Sequence, residues 1–207
     1  MKTLALDFSQ LSQPEIYKLL IGAIVPRPIA FVSTVSAEGV GNLAPFSFFN
    51  AVSSDPPCLM ISIARKSTGE KKDTLKNIEE TGTFVVNCVS EWMVEPMNQA
   101  SADYPYGVDE MAQVGLTAIP SVKVKASRVK EAAIQMECEV YRILEIGDGL
   151  SVGSTTLVVG RILLMHVAEA VYDQGKIRID ALKPIARLAG SSYSKLGEVF
   201  DLARPKI

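Results

Sequence analysis

The chain has 207 residues, 48% of them hydrophobic and 21% charged, a balance that excludes a disordered polar segment and supplies apolar surface for a real core. Lys and Arg total 21 against 23 Asp and Glu, a formal net charge of −2, which argues against a general nucleic-acid binder because phosphate neutralisation needs a basic excess. No run approaches the ~20 apolar residues of a spanning helix, and Asp7 interrupts the N-terminus before a signal-peptide core forms, so the expectation is a cytoplasmic protein with no membrane segment, built as a single domain over 1–207.

Ser12-Gln13-Pro14-Glu15 matches a capping box ahead of Ile16, Leu19 and Leu20, predicting a short helix that ends near Gly22. Pro26 and Pro28 favour extended backbone into Ile29–Val35, a β-branched and aromatic strand. Glu38-Gly39 reads as a turn that returns the chain through Val40 to Leu43. Pro57–Ala64 reads as a central apolar strand. Asp73 is placed to cap a helix through Leu75 and Ile78, stopped by Gly82, and Thr83–Val89 is the next strand. Ser90–Ala102 reads as a helix kinked near Pro96, followed by a loop with Tyr104, Pro105 and Tyr106. Residues 134–140 alternate apolar and polar, predicting a strand with one wet face. Gly147-Asp148-Gly149 marks a turn, with Thr155–Val167 as the partner strand. Strand after strand without an intervening helix favours a closed or partly closed antiparallel barrel over a doubly wound sheet.

Several chemistries are disfavoured by residue supply. His166 is the only histidine, so zinc sites built on two or three histidines are impossible, and Cys58, Cys88 and Cys138 lack paired spacing. They read as small buried hydrophobes rather than disulfides. His166 itself, in an apolar run with no serine elbow, reads as a strand-end or partly buried residue; proximity to a cofactor and a barrel-fold hydrolase remain as alternatives. Gly39-Val40-Gly41-Asn42-Leu43-Ala44 fits a dinucleotide fingerprint in letters only. Pro45 disfavours helical backbone at Ala44, and no helix opens there, so the glycines belong to a hairpin.

The informative stretch is Asn42-Leu43-Ala44-Pro45-Phe46-Ser47-Phe48-Phe49-Asn50, three phenylalanines beside two asparagines and a serine. It could plug one barrel end. On the residues alone the plug is the reading preferred; a planar amphipathic cofactor such as a flavin, whose ring needs an apolar surface and nearby amide donors, is the other. Arg65, Lys71, Lys72 and Thr74 gather at the start of the second helix, where cations, hydroxyls and free N–H groups favour a phosphate; a solvated helix face is the alternative.

Ordered blocks extend this pattern: Pro26–Thr34, Asn42–Asn50, Asp55-Pro56-Pro57, Lys72–Ile78, Phe84-Val85-Val86-Asn87 and Arg187–Tyr193. Together they resemble the flavin reductase-like, FMN-binding split-barrel family, in its flavoredoxin-like branch. The resemblance implies a mainly β fold with peripheral helices, a Greek-key split β-barrel, working as a homodimer that binds FMN non-covalently near the subunit interface. It places Ser33, Thr34, Asn42, Leu43, Ala44, Pro45, Phe46, Ser47 and Asn50 along the flavin. Arg65, Lys72 and Thr74 would suit its phosphate, and Arg187 and Tyr193 would close the site. Gly160-Arg161-Ile162 departs from the family pattern, with Arg161 in place of an acid. The implied function is an FMN-dependent oxidoreductase taking electrons from NADH or NADPH and passing them to a flavin, a metal complex, a partner protein or oxygen. Hydride transfer to a flavin demands stacked rings more than a side-chain acid or base, which suits a chain with one histidine. The other reading is an FMN-binding electron carrier or sensor without nicotinamide turnover.

Overall fold

In chain order, helix α1 (Gln13–Ala23) leads to the two-residue strand β1 (Arg27–Pro28) and to β2 (Ala30–Val35), β3 (Gly41–Phe46), β4 (Phe49–Ser54) and β5 (Pro57–Ala64). Helix α2 (Asp73–Thr81) and strand β6 (Thr83–Cys88) follow, then the short helices α3 (Val94–Gln99) and α4 (Glu110–Gln113) and the small strands β7 (Ala118–Ile119) and β8 (Arg128–Val129). A long hairpin, β9 (Ile134–Ile146) and β10 (Thr155–Val167), precedes β11 (Tyr172–Asp173), β12 (Lys176–Ile177), α5 (Ile179–Leu182), β13 (Ile185–Arg187) and β14 (Tyr193–Lys195). These positions come from a computed structural model that describes residues 1–105 and 107–206; Tyr106 of the expected loop lies outside the described residues.

Seven strands form one antiparallel sheet in the order β3-β2-β6-β9-β10-β5-β4. Its two edge strands, β3 and β4, are separated in sequence by only Ser47 and Phe48, so the edges meet at a corner and the sheet curls into a partly closed barrel. The interior is filled by alternate residues of the strands, among them Val32, Leu59, Ile61, Ile63, Phe84, Val86, Cys138 and Val158, with Leu75 and Ile78 of α2 closing one side. A second cluster on the outer face of β2 and β3 joins Phe31 and Leu43 to Met93, Met97, Met111 and Ile185. Strand β2 is therefore covered on both faces, which explains why it reads as a continuous apolar run rather than an alternating one.

Local rules set most element ends. The Glu15 carboxylate accepts the Ser12 N–H at 2.9 Å, forming the predicted box at the start of α1. Gly82 ends α2 in the left-handed conformation, φ 69°, as a C-terminal glycine does. Gly39, φ 88°, turns the chain from β2 into β3, so the dinucleotide-like letters lie in a hairpin.

The structure corrects five expectations. Strand β3 runs on through Pro45 to Phe46, and β4 was not expected at all. Asp73 is the first residue of α2 rather than its cap; Lys72 holds the cap position without a side-chain bond, and the Asp73 carboxylate instead receives Lys66 at 3.1 Å and Lys76 at 3.4 Å. Pro96 sits in the first turn of α3, where its missing N–H costs nothing, so it kinks no helix. Strand β9 has no wet face between Ile134 and Cys138: Gln135 and Glu137 are buried under the segment that carries β8.

Glu137 is the anchor of that cover. Its carboxylate accepts the backbone N–H groups of Val122, Lys123 and Val124 and contacts His166 Nε2, with Arg128 3.9 Å away. Burial alone would raise its pKa, but these donors outweigh it and hold the group below the ordinary carboxylate value. His166 therefore has a structural partner, and it lines neither of the cavities described below. Cys58 and Cys138 are buried and Cys88 half-buried, all three as free thiols, and burial pushes Cys88 up to about 11. Arg161 bonds to Glu139 across the β9–β10 ladder. Among the described residues, no group of His, Cys, Asp and Glu side chains is arranged to hold a metal ion, and no helix is long and apolar enough to cross a membrane.

Candidate functional site

At the corner where β3 leaves the sheet, a cleft of about 300 Å³ opens over the strand. Asn42, Ala44, Pro45 and Phe46 form its floor; Lys66, Ser67 and Thr68 with the start of α2 form one wall, and Ser101–Tyr104 the other. The floor is fixed from beneath by a buried amide–hydroxyl network. Asn42 Nδ2 donates to Thr74 Oγ1 at 3.0 Å and to Thr34 Oγ1 at 3.2 Å, and Asn77 Nδ2 donates to the same Thr34 oxygen at 3.0 Å. These bonds tie β2, β3 and α2 together at the point where the helix N-terminus faces the cleft.

The charges at that end are unequally committed. Lys66 is paired with Asp73, whereas the Lys72 ammonium has no hydrogen bond or ion pair among the described residues, although it sits at a helix N-terminus that disfavours a cation. On the far side, buried Glu110 accepts the Leu43 N–H at 2.9 Å. Burial raises its pKa, reinforced by Asp73 and Asp109 and only partly offset by that bond.

A second cavity, about 200 Å³, shares Pro45, Phe46 and Ser101 with the first. It is bounded by Tyr17 of α1, Arg27 of β1, Ser47, Met97 of α3, and Arg187 and Tyr193 from the C-terminal strands. Arg27 is buried and donates to the carbonyls of Ile21 and Ile24, both at 2.8 Å, and to that of Leu188 at 2.9 Å. Arg187 stacks on the Tyr193 ring, 4.5 Å from its centroid.

The profile of the flavin reductase like domain matches residues 22–180. The chain belongs to the flavin reductase-like domain family. A relative in Bacillus subtilis, YwrF, is 43% identical over 95% of this chain and 96% of its own length. Nitrilotriacetate monooxygenase component B from Bacillus cereus is 42% identical, covering 98% of this chain and 100% of that one with a TM-score of 0.93. The 2-nitrobenzoate 2-nitroreductase of Pseudomonas fluorescens is 33% identical over 98% and 96% of the two chains, TM-score 0.87. A flavin reductase with a split barrel domain from Shewanella frigidimarina, at 21% identity, shares the fold with a TM-score of 0.81. The expected split barrel is thus the fold observed, and membership of the flavin reductase-like family supports a flavin-related oxidoreductase.

Within this flavin reductase-like domain, the expected site residues separate into three sets. Asn42, Ala44, Pro45, Phe46, Lys72 and Thr74 surround the larger cleft, while Ser47, Arg187 and Tyr193 border the smaller cavity, with Pro45 and Phe46 common to both. The remaining five line neither. Ser33 is buried, its hydroxyl donating to the Ser127 carbonyl, and Thr34 supports the floor from below. Leu43 lies wholly in the outer core cluster, and Asn50 is exposed on the edge strand β4. Arg65 turns away to the β9–β10 hairpin, bonding Gly149 O at 2.8 Å and Glu145 at 2.6 Å. Lys71 pairs with Glu79. Lys66, Ser67, Thr68, Ser101, Tyr104 and Arg27 were not expected to line a cavity. The signal that could have found the first three is a Lys-Ser-Thr-Gly turn directly between a strand and a helix, a setting that favours phosphates.

Proposed function

We propose that the larger cleft binds FMN and that the protein is an FMN-dependent oxidoreductase of the flavin reductase type, drawing electrons from NADH or NADPH and passing them to a flavin, a metal complex or a partner protein. The observation that carries this reading is the polarity of the cleft. The floor has the apolar Ala44, Pro45 and Phe46, and one wall has Lys72, Ser67, Thr68 and Thr74 at a helix N-terminus. A ring with a phosphate-bearing tail has the same division.

Bound FMN would supply the redox-active ring. The chain's own part is to hold it: Pro45 and Ala44 let main chain approach a planar group, Asn42 is locked by Thr74 and Thr34 so its edge does not rearrange, and Lys72 supplies the uncommitted charge for a phosphate. Glu110 borders the same cleft, and burial raises its pKa, so the charged form of its carboxyl is disfavoured there. The high identity to a monooxygenase component B and the lower identity to a nitroreductase both support an oxidoreductase that delivers electrons.

The same proposal includes action as one domain over 1–207, a cytoplasmic location and a homodimer. Tyr141, Leu144 and Ile146 of β9 and Met165 of β10 are exposed, apolar positions that a second copy would cover. The decisive experiment is the visible absorption spectrum of purified protein with and without FMN, followed by NADH and NADPH oxidation with FMN added. Bound flavin and steady turnover support the reductase. Bound flavin without turnover would favour a carrier such as flavoredoxin, which matches over 87% of this chain at 25% identity. No spectral change on titration would refute the flavin site.

A further inference from the structure

The smaller cavity carries a charge arrangement that FMN in the larger cleft does not use, although the family resemblance sets Ser47, Arg187 and Tyr193 of its lining beside the flavin. Arg27 and Arg187 are direct register partners on β1 and β13, so two cations face each other across a strand pair. Like charges in that position destabilise a sheet. No Asp or Glu lines the cavity, and neither arginine forms an ion pair among the described residues. Every acceptor of Arg27 is neutral: three backbone carbonyls and, at 3.4 Å, the Ser47 hydroxyl. Since Ser47 Oγ accepts from Arg27 Nε, its own hydroxyl hydrogen is free to donate elsewhere. Arg187 spends one donor on the Gly190 carbonyl, and its stacking on Tyr193 fixes the guanidinium plane. The result is a cavity with two fixed positive charges, a hydroxyl donor and aromatic walls from Tyr17, Phe46 and Tyr193.

We propose that this cavity binds the carboxylate of a small single-ring aromatic acid, a co-substrate held beside the larger cleft. The two guanidinium groups and the Ser47 hydroxyl match a carboxylate, which takes paired N–H donors. The ring lies among Tyr193, Phe46 and Met97. At about 200 Å³ the space is below the roughly 300 Å³ at which drug-sized ligands begin, so a single ring fits and a dinucleotide does not. Through the shared Pro45, Phe46 and Ser101, the far edge of that ring borders the cleft assigned to the flavin. Only the role of co-substrate rests on the flavin reading; the anion site stands on the cavity itself.

The test is calorimetric titration of the full chain with benzoate, benzamide and inorganic phosphate, each without flavin and with saturating FMN. Benzoate is expected to bind at least about tenfold more tightly than benzamide, and Arg187→Gln to weaken benzoate by about tenfold or more while leaving benzamide unchanged. Arg187→Lys keeps the charge and should retain most of the preference for benzoate. Equal binding of benzoate and benzamide, or an unaltered benzoate affinity in Arg187→Gln with native circular dichroism, overturns the proposal. Phosphate binding as tight as benzoate overturns the aromatic-acid assignment in favour of a general oxyanion site. The FMN titration is read separately, so failure to bind flavin refutes the larger cleft's role and leaves the benzoate result to decide the smaller one.

Discussion

Lys72→Ala separates phosphate recognition from folding because its two effects have opposite signs. Lys72 occupies the cap position of α2 without capping it, and its ammonium has no partner among the described residues. In the free protein a cation at a helix N-terminus is unfavourable by about 0.3–1 kcal/mol, so its removal should leave stability unchanged or slightly raised. In the proposed FMN complex it would face the phosphate, and a hydrogen bond to a charged group contributes about 1.5–3 kcal/mol, or roughly 10- to 150-fold in affinity. Lys66 cannot substitute at full strength, since Asp73 already holds it at 3.1 Å. The assay is fluorescence titration with FMN and with riboflavin, which lacks the phosphate, beside urea unfolding of both proteins. FMN affinity should fall by the stated factor while riboflavin affinity and unfolding midpoint stay level. Equal losses for both flavins, or no loss for FMN, would refute the placement of the phosphate at α2.

Three further outcomes follow from the geometry. Glu137→Gln removes a buried charge that serves three backbone N–H groups and His166, so unfolding free energy near neutral pH should drop by about 3 kcal/mol. Because its folded pKa is lowered, Glu137 contributes fully above the unfolded value of about 4.3 and the contribution fades as pH falls through the folded pKa. The gap between wild type and variant in urea should therefore narrow on acidification; a constant gap contradicts this. Glu110 has the opposite sign: with its folded pKa raised, wild type should lose stability relative to Glu110→Gln as pH rises from about 4 until the folded pKa is passed, and parallel pH profiles would exclude the shift. Gly160→Ala would drive a methyl into the buried Phe84 ring, 2.9 Å from Cε1, and should destabilise the protein by about 1–3 kcal/mol in thermal or urea unfolding; an unchanged midpoint would show that the ring yields freely.

Most of the sheet was legible because its signals are local. The capping box before α1, the glycine after α2 and the turn at Gly147 each depend on a few adjacent residues, and each sits where those residues direct. Strand β4 was hidden because Asn50, Ser53 and Ser54 face solvent at the sheet edge and supply no apolar alternation. The β9 error has a different origin. Gln135 and Glu137 do alternate with apolar neighbours, but the segment that buries them joins from earlier in the chain, which no window of a few residues contains. At the cleft, the floor strand was found and the wall was missed by one residue. Successive side chains at a strand end take opposite sides, so Arg65 turns to the hairpin and Lys66 to the cleft. Which of two adjacent cations points inward depends on how the chain leaves β5 at Ala64, where Arg65 N–H bonds Ser154 O beside the hairpin and Lys66 N–H bonds Glu70 O in the turn, and not on composition.

Arg27 also bears on the order in which the molecule assembles. Its guanidinium joins the carbonyl oxygens at the end of α1 to that of Leu188, 161 positions later. Until the later segment arrives, a charge destined for the interior lacks one of its three carbonyl acceptors, so the first helix is not yet tied to the C-terminal strands. During synthesis the last barrel strand, β10, is complete at Val167, before Leu188 emerges, whereas the bond that ties α1 to the C-terminal strands must wait for Leu188. The second cavity, walled by α1 on one side and β13 and β14 on the other, is therefore a late product of folding, and its closure reports that both ends have reached their places.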